Sequence, residues 1–167
     1  VHRRLKEDLL QRVLEQMRQW KTGDPLDPEN QLGAIVSREQ FDKVMGYIEA
    51  GKQSGARLLL GGHAIGAGNG LFIAPTAFDE VTPQMLIAKE EIFGPVLAVL
   101  TVDSDEQAIE WANDTAYGLQ ASLYAGNVKK AVRNARRLQA GTVSLNCYSE
   151  GDITTPFGGY KLSGFGG

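Results

Sequence analysis

Lys89-Glu90-Glu91-Ile92-Phe93-Gly94-Pro95-Val96, running on into Leu97-Ala98-Val99-Leu100, is the stretch on which the reading of this chain turns. Two carboxylates, an aromatic ring and a Gly-Pro bend precede a short apolar run of strand character. In an extended segment side chains alternate between faces. The spacing therefore puts Glu91 and Phe93 on one side, Glu90 and Ile92 on the other. A carboxylate beside a ring suits a ligand with hydroxyls on one part and a flat group on another, such as a ribose joined to an aromatic base. The same spacing also describes a strand start with solvated carboxylates, and taken alone it favours that plainer reading.

Downstream, the strand pattern at 96–102 gives way to Ser104-Asp105-Glu106-Gln107, which has the spacing of a helix capping box. Ala108, Ile109 and Ala112 supply that helix's apolar face, and Gly118 a stop. A strand over 119–124 follows. Next comes a helix capped by Asn127, with an apolar face of Val128, Ala131, Val132, Ala135 and Leu138 that ends at Gly141. The last clear strand covers 142–145. Strands and helices in alternation signal a parallel sheet and an α/β fold.

Upstream, residues 1–21 read as one amphipathic helix, with Leu5, Leu9, Leu10, Val13, Leu14, Met17 and Trp20 as a core-facing stripe. Gly23 and Pro25 stop it, and 23–30 is turn chemistry. Ser37-Arg38-Glu39-Gln40 is another capping-box spacing. It opens a helix buried through Phe41, Val44, Met45 and Ile48 and stopped by Gly55. Gln40 then has a local role open to it as cap partner, and Lys43 reads as a solvated helix charge. Residues 56–60 form a short apolar run. The glycine-rich 61–70 lacks both the Lys-Ser/Thr of a phosphate loop and a following helix, so it reads as a hairpin loop. Residues 71–78 read as a strand kept to a sheet edge by Pro75, and Thr82-Pro83 as the opening of a short helix.

A length of 167 residues fits one domain with a real core. The formal net charge of -3 offers no basic surface for nucleic acid. No apolar run approaches the roughly 18 residues that span a bilayer. The single cysteine excludes an internal disulfide framework and fits a reducing compartment, so a cytoplasmic location is expected. Two histidines and one cysteine, widely spaced, make no metal site. Cys147 follows an apolar strand with neither His2 nor His63 nearby in sequence, and reads as packing rather than as a nucleophile.

Four blocks then occur in order: Lys89–Pro95; Asn113-Asp114-Thr115-Ala116-Tyr117-Gly118-Leu119; Ala140-Gly141-Thr142-Val143; and Pro156-Phe157-Gly158-Gly159-Tyr160-Lys161-Leu162-Ser163-Gly164. Together they closely resemble the C-terminal half of the catalytic domain of the NAD(P)-dependent aldehyde dehydrogenase superfamily, over essentially the whole chain. The stretch Asn146–Asp152 looks most like the γ-glutamyl-γ-aminobutyraldehyde dehydrogenases of putrescine breakdown.

The resemblance implies part of a three-layer α/β/α catalytic domain with a mostly parallel sheet, residues 1–167 forming a single domain. It implies NAD or NADP as cofactor, an aldehyde as substrate, and a parent homodimer or homotetramer. Glu91 matches the glutamate that holds the nicotinamide ribose, and Phe93 the aromatic beside the nicotinamide. Gln40 and Lys43 match cofactor-contacting helix positions. Phe157 matches an aromatic of the aldehyde channel, and Ser149 and Gly151 fall at variable substrate-pocket positions. In the family scheme a cysteine thiolate attacks the aldehyde, hydride passes to the nicotinamide, and water hydrolyses the thioester. Cys147 does not match that nucleophile, so no residue here is assigned a catalytic role. The nucleophile's motif is expected just before Val1, and an oligomerisation strand after Gly167. The general base, an oxyanion-hole amide and the Rossmann domain are likewise expected outside the chain. The whole resembles a fragment of a dehydrogenase of roughly 500 residues, inactive by itself. An alternative is a non-catalytic interaction or assembly module that retains the fold.

Overall fold

The computed structural model describes residues 1–66, 70–148, 154 and 156–164. They fall into two compact units, Val1–Thr101 and Val102–Gly167.

The first unit opens with α1 (Arg3–Gln19), whose N-cap His2 accepts the Arg4 amide. Its apolar stripe is covered only in part. Leu10 and Met17 are buried, whereas Leu5, Leu9 and Trp20 are exposed. Residues seven apart lie two turns along one line, and that narrow line is what the unit covers. The expectation of a fully core-facing stripe is therefore corrected. Helix α2 (Arg38–Gln53) begins where the sequence placed it, because Ser37 Oγ accepts the Gln40 amide at 3.1 Å. Its Val44 and Ile48 are fully buried against Phe78, Ile73 and Ile87.

Behind this helix lies a three-stranded sheet, in the order β1 (Arg57–Leu60), β4 (Thr76–Val81), β5 (Val96–Leu100). β1 and β4 pair antiparallel, β4 and β5 parallel. A two-stranded hairpin, β2 (Ala64–Ile65) with β3 (Phe72–Ile73), confirms the turn expected between 61 and 70. The single strand expected over 71–78 is in fact two, broken at Ala74-Pro75, since proline cannot donate to a ladder. Nor is β4 at an edge. It is central and buried on both faces except at Glu80. The short helix α3 (Leu86–Lys89) starts three residues later than Thr82-Pro83 indicated, with Met85 as its cap and Thr82 in the turn before.

The second unit contains α4 (Asp105–Asn113), β6 (Gln120–Leu123), α5 (Val128–Ala135), β7 (Thr142–Leu145) and a 3-10 turn at Lys161–Ser163. β6 and β7 are parallel with α5 as crossover, the expected βαβ arrangement. The apolar face expected for α5 is covered only in part, with Ala135 and Leu138 half-buried. Ala131 and Asn134 are buried, while Val128 and Val132 are exposed. For Asn134 the reason is polar: its Nδ2 donates to Asp105, and Lys130 pairs with the same carboxylate at 2.8 Å. α4 ends at Asn113 rather than running toward Gly118, and Ile109 is its buried residue.

Candidate functional site

Residues 90–95 join α3 to β5 as an irregular loop rather than as the start of a strand. Glu90 caps α3, its amide donating to Leu86 O at 3.1 Å, and its side chain is exposed, not paired inward with Ile92. Ile92 is buried in the unit's core between exposed Glu91 and Phe93. The ring of Phe93 is 76% exposed. Its backbone is also strained. Phe93 has φ of 51°, in the left-handed region that costs a non-glycine residue about 1–2 kcal/mol.

Three contacts hold that conformation. Gln40 Nε2, reaching from the first turn of α2, donates to Ile92 O at 2.9 Å and lies 3.4 Å from Phe93 O. Gly94 fits against α2 with no room to spare, since a Cβ there would lie 2.7 Å from Val44 Cγ1. Beyond it, Pro95 O accepts the Thr76 amide at 2.8 Å and fixes the loop to β4. Among the described residues Glu91 has no ion-pair or hydrogen-bond partner, so its carboxylate oxygens are open to a ligand. Lys43 lies one turn beyond Gln40 on α2, with its nitrogen 5.9 Å from the Tyr47 ring centroid. Of the four expected cofactor residues, the structure ties Gln40 directly to the loop bearing Glu91 and Phe93.

Next to this loop lies a cleft of about 540 Å³. Val13, Met17 and Trp20 of α1 line it, with Pro95, Val96 and Leu97 at the start of β5. Its walls are mostly apolar, with Arg12 and Gln16 of α1 also bordering it.

In the second unit three of the sequence blocks meet in one network. Gly118 O accepts the amides of both Gly141 and Tyr160, and the Gly118 amide donates to Ser163 Oγ at 3.0 Å. Lys161, itself left-handed at φ 54°, donates through Nζ to Asn113 O at 2.6 Å and Thr115 O at 3.0 Å. The Asn113 carboxamide in turn bonds Arg137 O and the Gln139 amide. These blocks form one brace, and Phe157 beside it is exposed at the surface. Sequence reasoning gave Asn113 and Lys161 no role. The available signal was a lysine inside a glycine-rich segment with no acid beside it. Ser149 and Gly151 lie outside the described residues. Cys147 is a partly buried free thiol just past β7.

The strongest electrostatic feature is away from the loop. Asp79 of β4 is fully buried, and its Oδ2 meets Lys6 Nζ of α1 at 2.8 Å and Arg57 Nη2 of β1 at 2.6 Å. Burial pushes this carboxyl up, but the hydrogen bonds from Lys6 and Arg57 outweigh it and leave the group below the ordinary aspartate range. This is a structural clamp between helix and sheet. Among the described residues no cluster of His, Cys, Asp or Glu could hold a metal, and no helix is long and apolar enough to cross a membrane.

Comparison with known proteins gives a consistent result. The model of the aldehyde dehydrogenase family matches residues 1–167. The aminoacetaldehyde dehydrogenase of Pseudomonas aeruginosa is 47% identical over 167 residues, covering 100% of this chain and 33% of that protein. A betaine aldehyde dehydrogenase of Brucella anthropi is 44% identical over 169 residues, covering 99% and 35%. Among solved structures, the P. syringae indole-3-acetaldehyde dehydrogenase in complex with NAD+ and IAA superposes with TM-score 0.95 at 50% identity, covering 98% of this chain and 33% of that one. An NAD+ complex of an aldehyde dehydrogenase from Bacillus cereus gives TM-score 0.94 at 42% identity, covering 99% and 34%. The chain thus spans about a third of the length of the relatives it matches.

Proposed function

Because the chain belongs to the aldehyde dehydrogenase family, we propose that it supplies the nicotinamide-ribose clamp and one wall of the aldehyde channel of an NAD(P)-dependent aldehyde dehydrogenase. Both units then belong to one catalytic domain. The observation that carries the reading is the loop at 90–95: an unpartnered carboxylate and a largely exposed ring, two residues apart, held by a strained backbone. Strain of this kind at an exposed aromatic makes sense where a ligand uses the geometry.

The residues present fit the nicotinamide end of the cofactor. The Glu91 carboxylate would hold the nicotinamide ribose through its hydroxyls, by charge-assisted and therefore strong hydrogen bonds. Phe93 would lie beside the nicotinamide end and help to exclude water there. Gln40 and Lys43 are assigned to the cofactor side, and Phe157, Ser149 and Gly151 to the aldehyde side. When bound, the dinucleotide supplies the hydride acceptor. This chain's own contribution is to orient the ribose, and through it the ring, while the nucleophile, general base and phosphate-binding elements come from outside these 167 residues.

The finer assignment, γ-glutamyl-γ-aminobutyraldehyde as substrate in putrescine breakdown, rests on the run Asn146–Asp152. Acceptance of NADP, a homodimeric or homotetrameric parent and a cytoplasmic setting belong to the same proposal.

The test is a comparison of two proteins. One is the 167-residue chain. The other is a chimera in which the chain replaces the matched third of the P. aeruginosa aminoacetaldehyde dehydrogenase. The chimera is expected to reduce NAD in the presence of aldehyde and the chain alone to be silent. Turnover by the chain alone, or a folded chimera that binds no NAD, would overturn the assignment.

A further inference from the structure

Two helices of this chain open with the same Ser-x-x-Gln spacing, and in the structure the two glutamines do different things. At Ser104–Gln107 the box closes locally: Gln107 Oε1 accepts the Asp103 amide at 2.8 Å. At Ser37–Gln40 the serine caps as expected, but the glutamine side chain turns away from its own helix. It crosses 52 positions of sequence to donate to Ile92 O and approach Phe93 O. A cap partner has no need of that reach. The carbonyls it meets flank the left-handed Phe93. The next residue, Gly94, is wedged against Val44, four positions along the same helix from Gln40.

We propose that Gln40 is a positioning residue of the Glu91–Phe93 clamp, acting through its Nε2 donor on the carbonyls at 92 and 93 rather than only by touching the ligand. The inference rests on the clamp reading above. It makes the first turn of α2 the rigid reference for the loop, because the buried Val44 and Ile48 hold that helix on the sheet. A donor is required. Glutamate at position 40 has the same size but presents only oxygen to two carbonyl oxygens, which repel it.

Gln40→Glu separates this role from direct contact, since a carboxylate is at least as good an acceptor for a ribose hydroxyl. In the chimera, Gln40→Glu and Gln40→Ala are both expected to raise the KM for NAD about threefold to tenfold, the loss of one such bond, with the KM for aldehyde unchanged. Crystal structures of both variants should show Phe93 leaving its left-handed conformation. An unchanged KM for NAD in Gln40→Glu, or an unmoved loop, overturns the proposal. Glu91→Gln in parallel keeps the two ideas apart. If that variant leaves the KM for NAD unaltered the clamp reading fails, while the loop geometry in the Gln40 variants still reports on positioning.

Discussion

Replacing Asp79 with alanine probes how this fold is tied together. The carboxylate is fully buried on the central strand and receives Lys6 from α1 and Arg57 from β1 through a single oxygen. Each charge-assisted bond is worth about 1.5–3 kcal/mol. Arg57 is 54% exposed, so water recovers much of its share once the partner is gone, whereas Lys6 at 18% is left poorly solvated. The expected net loss is about 3 kcal/mol, toward the lower end for breaking a buried pair. At this chain length that lowers Tm by about 6–12 °C.

The effect carries a pH signature. Asp79 is depressed in the folded state, so over the acid range the unfolded chain binds more protons than the folded one. The clamp's contribution is complete above about pH 5 and drains as pH falls through the unfolded value near 4 and on through the lower folded one. Urea melts of the chain and its Asp79→Ala variant, followed by far-UV circular dichroism, should differ by about 3 kcal/mol at pH 7 and by less at pH 3. A difference below about 0.5 kcal/mol at pH 7, the size of an ordinary surface change, refutes the clamp. So does one that is the same at both pH values.

Two further substitutions test the supports of the loop and the turn next to it. Thr76 is buried and accepts the Gly62 amide at 2.9 Å while donating to Ala74 O. Thr76→Val strands that amide and is expected to cost about 2 kcal/mol in a urea melt, while Thr76→Ser costs less because the hydroxyl stays. Gly94→Ala drives a methyl into Val44 and is expected to cost about 1–3 kcal/mol. Adding Val44→Ala should return part of that loss, a coupling measurable in a double-mutant cycle.

What the sequence disclosed, and what it withheld, divides along the range of the interactions. Ser37, Ser104 and Asn127 marked helix starts to the residue, because a cap is chemistry within three positions. The exposed Glu91 and Phe93 with Ile92 buried between them also followed from local spacing. The left-handed backbone at Phe93 did not, since it depends on Gln40 and Val44 arriving from about fifty residues away. The burial of Asn134 on α5 was missed for a similar reason: it is drawn inward by Asp105, a partner 29 positions distant, and no apolar periodicity encodes that. Pro75 was read as confining one strand to a sheet edge, whereas it breaks the segment in two and leaves β4 at the centre of the sheet.

If Glu91 holds the ribose of a nicotinamide dinucleotide, steady-state kinetics of the Glu91→Gln chimera will show it. The variant keeps the size of the side chain and removes its charge. Losing a charge-assisted acceptor predicts a KM for NAD raised about tenfold or more, with the KM for aldehyde little changed. A KM for NAD within twofold of the unsubstituted chimera would contradict the claim.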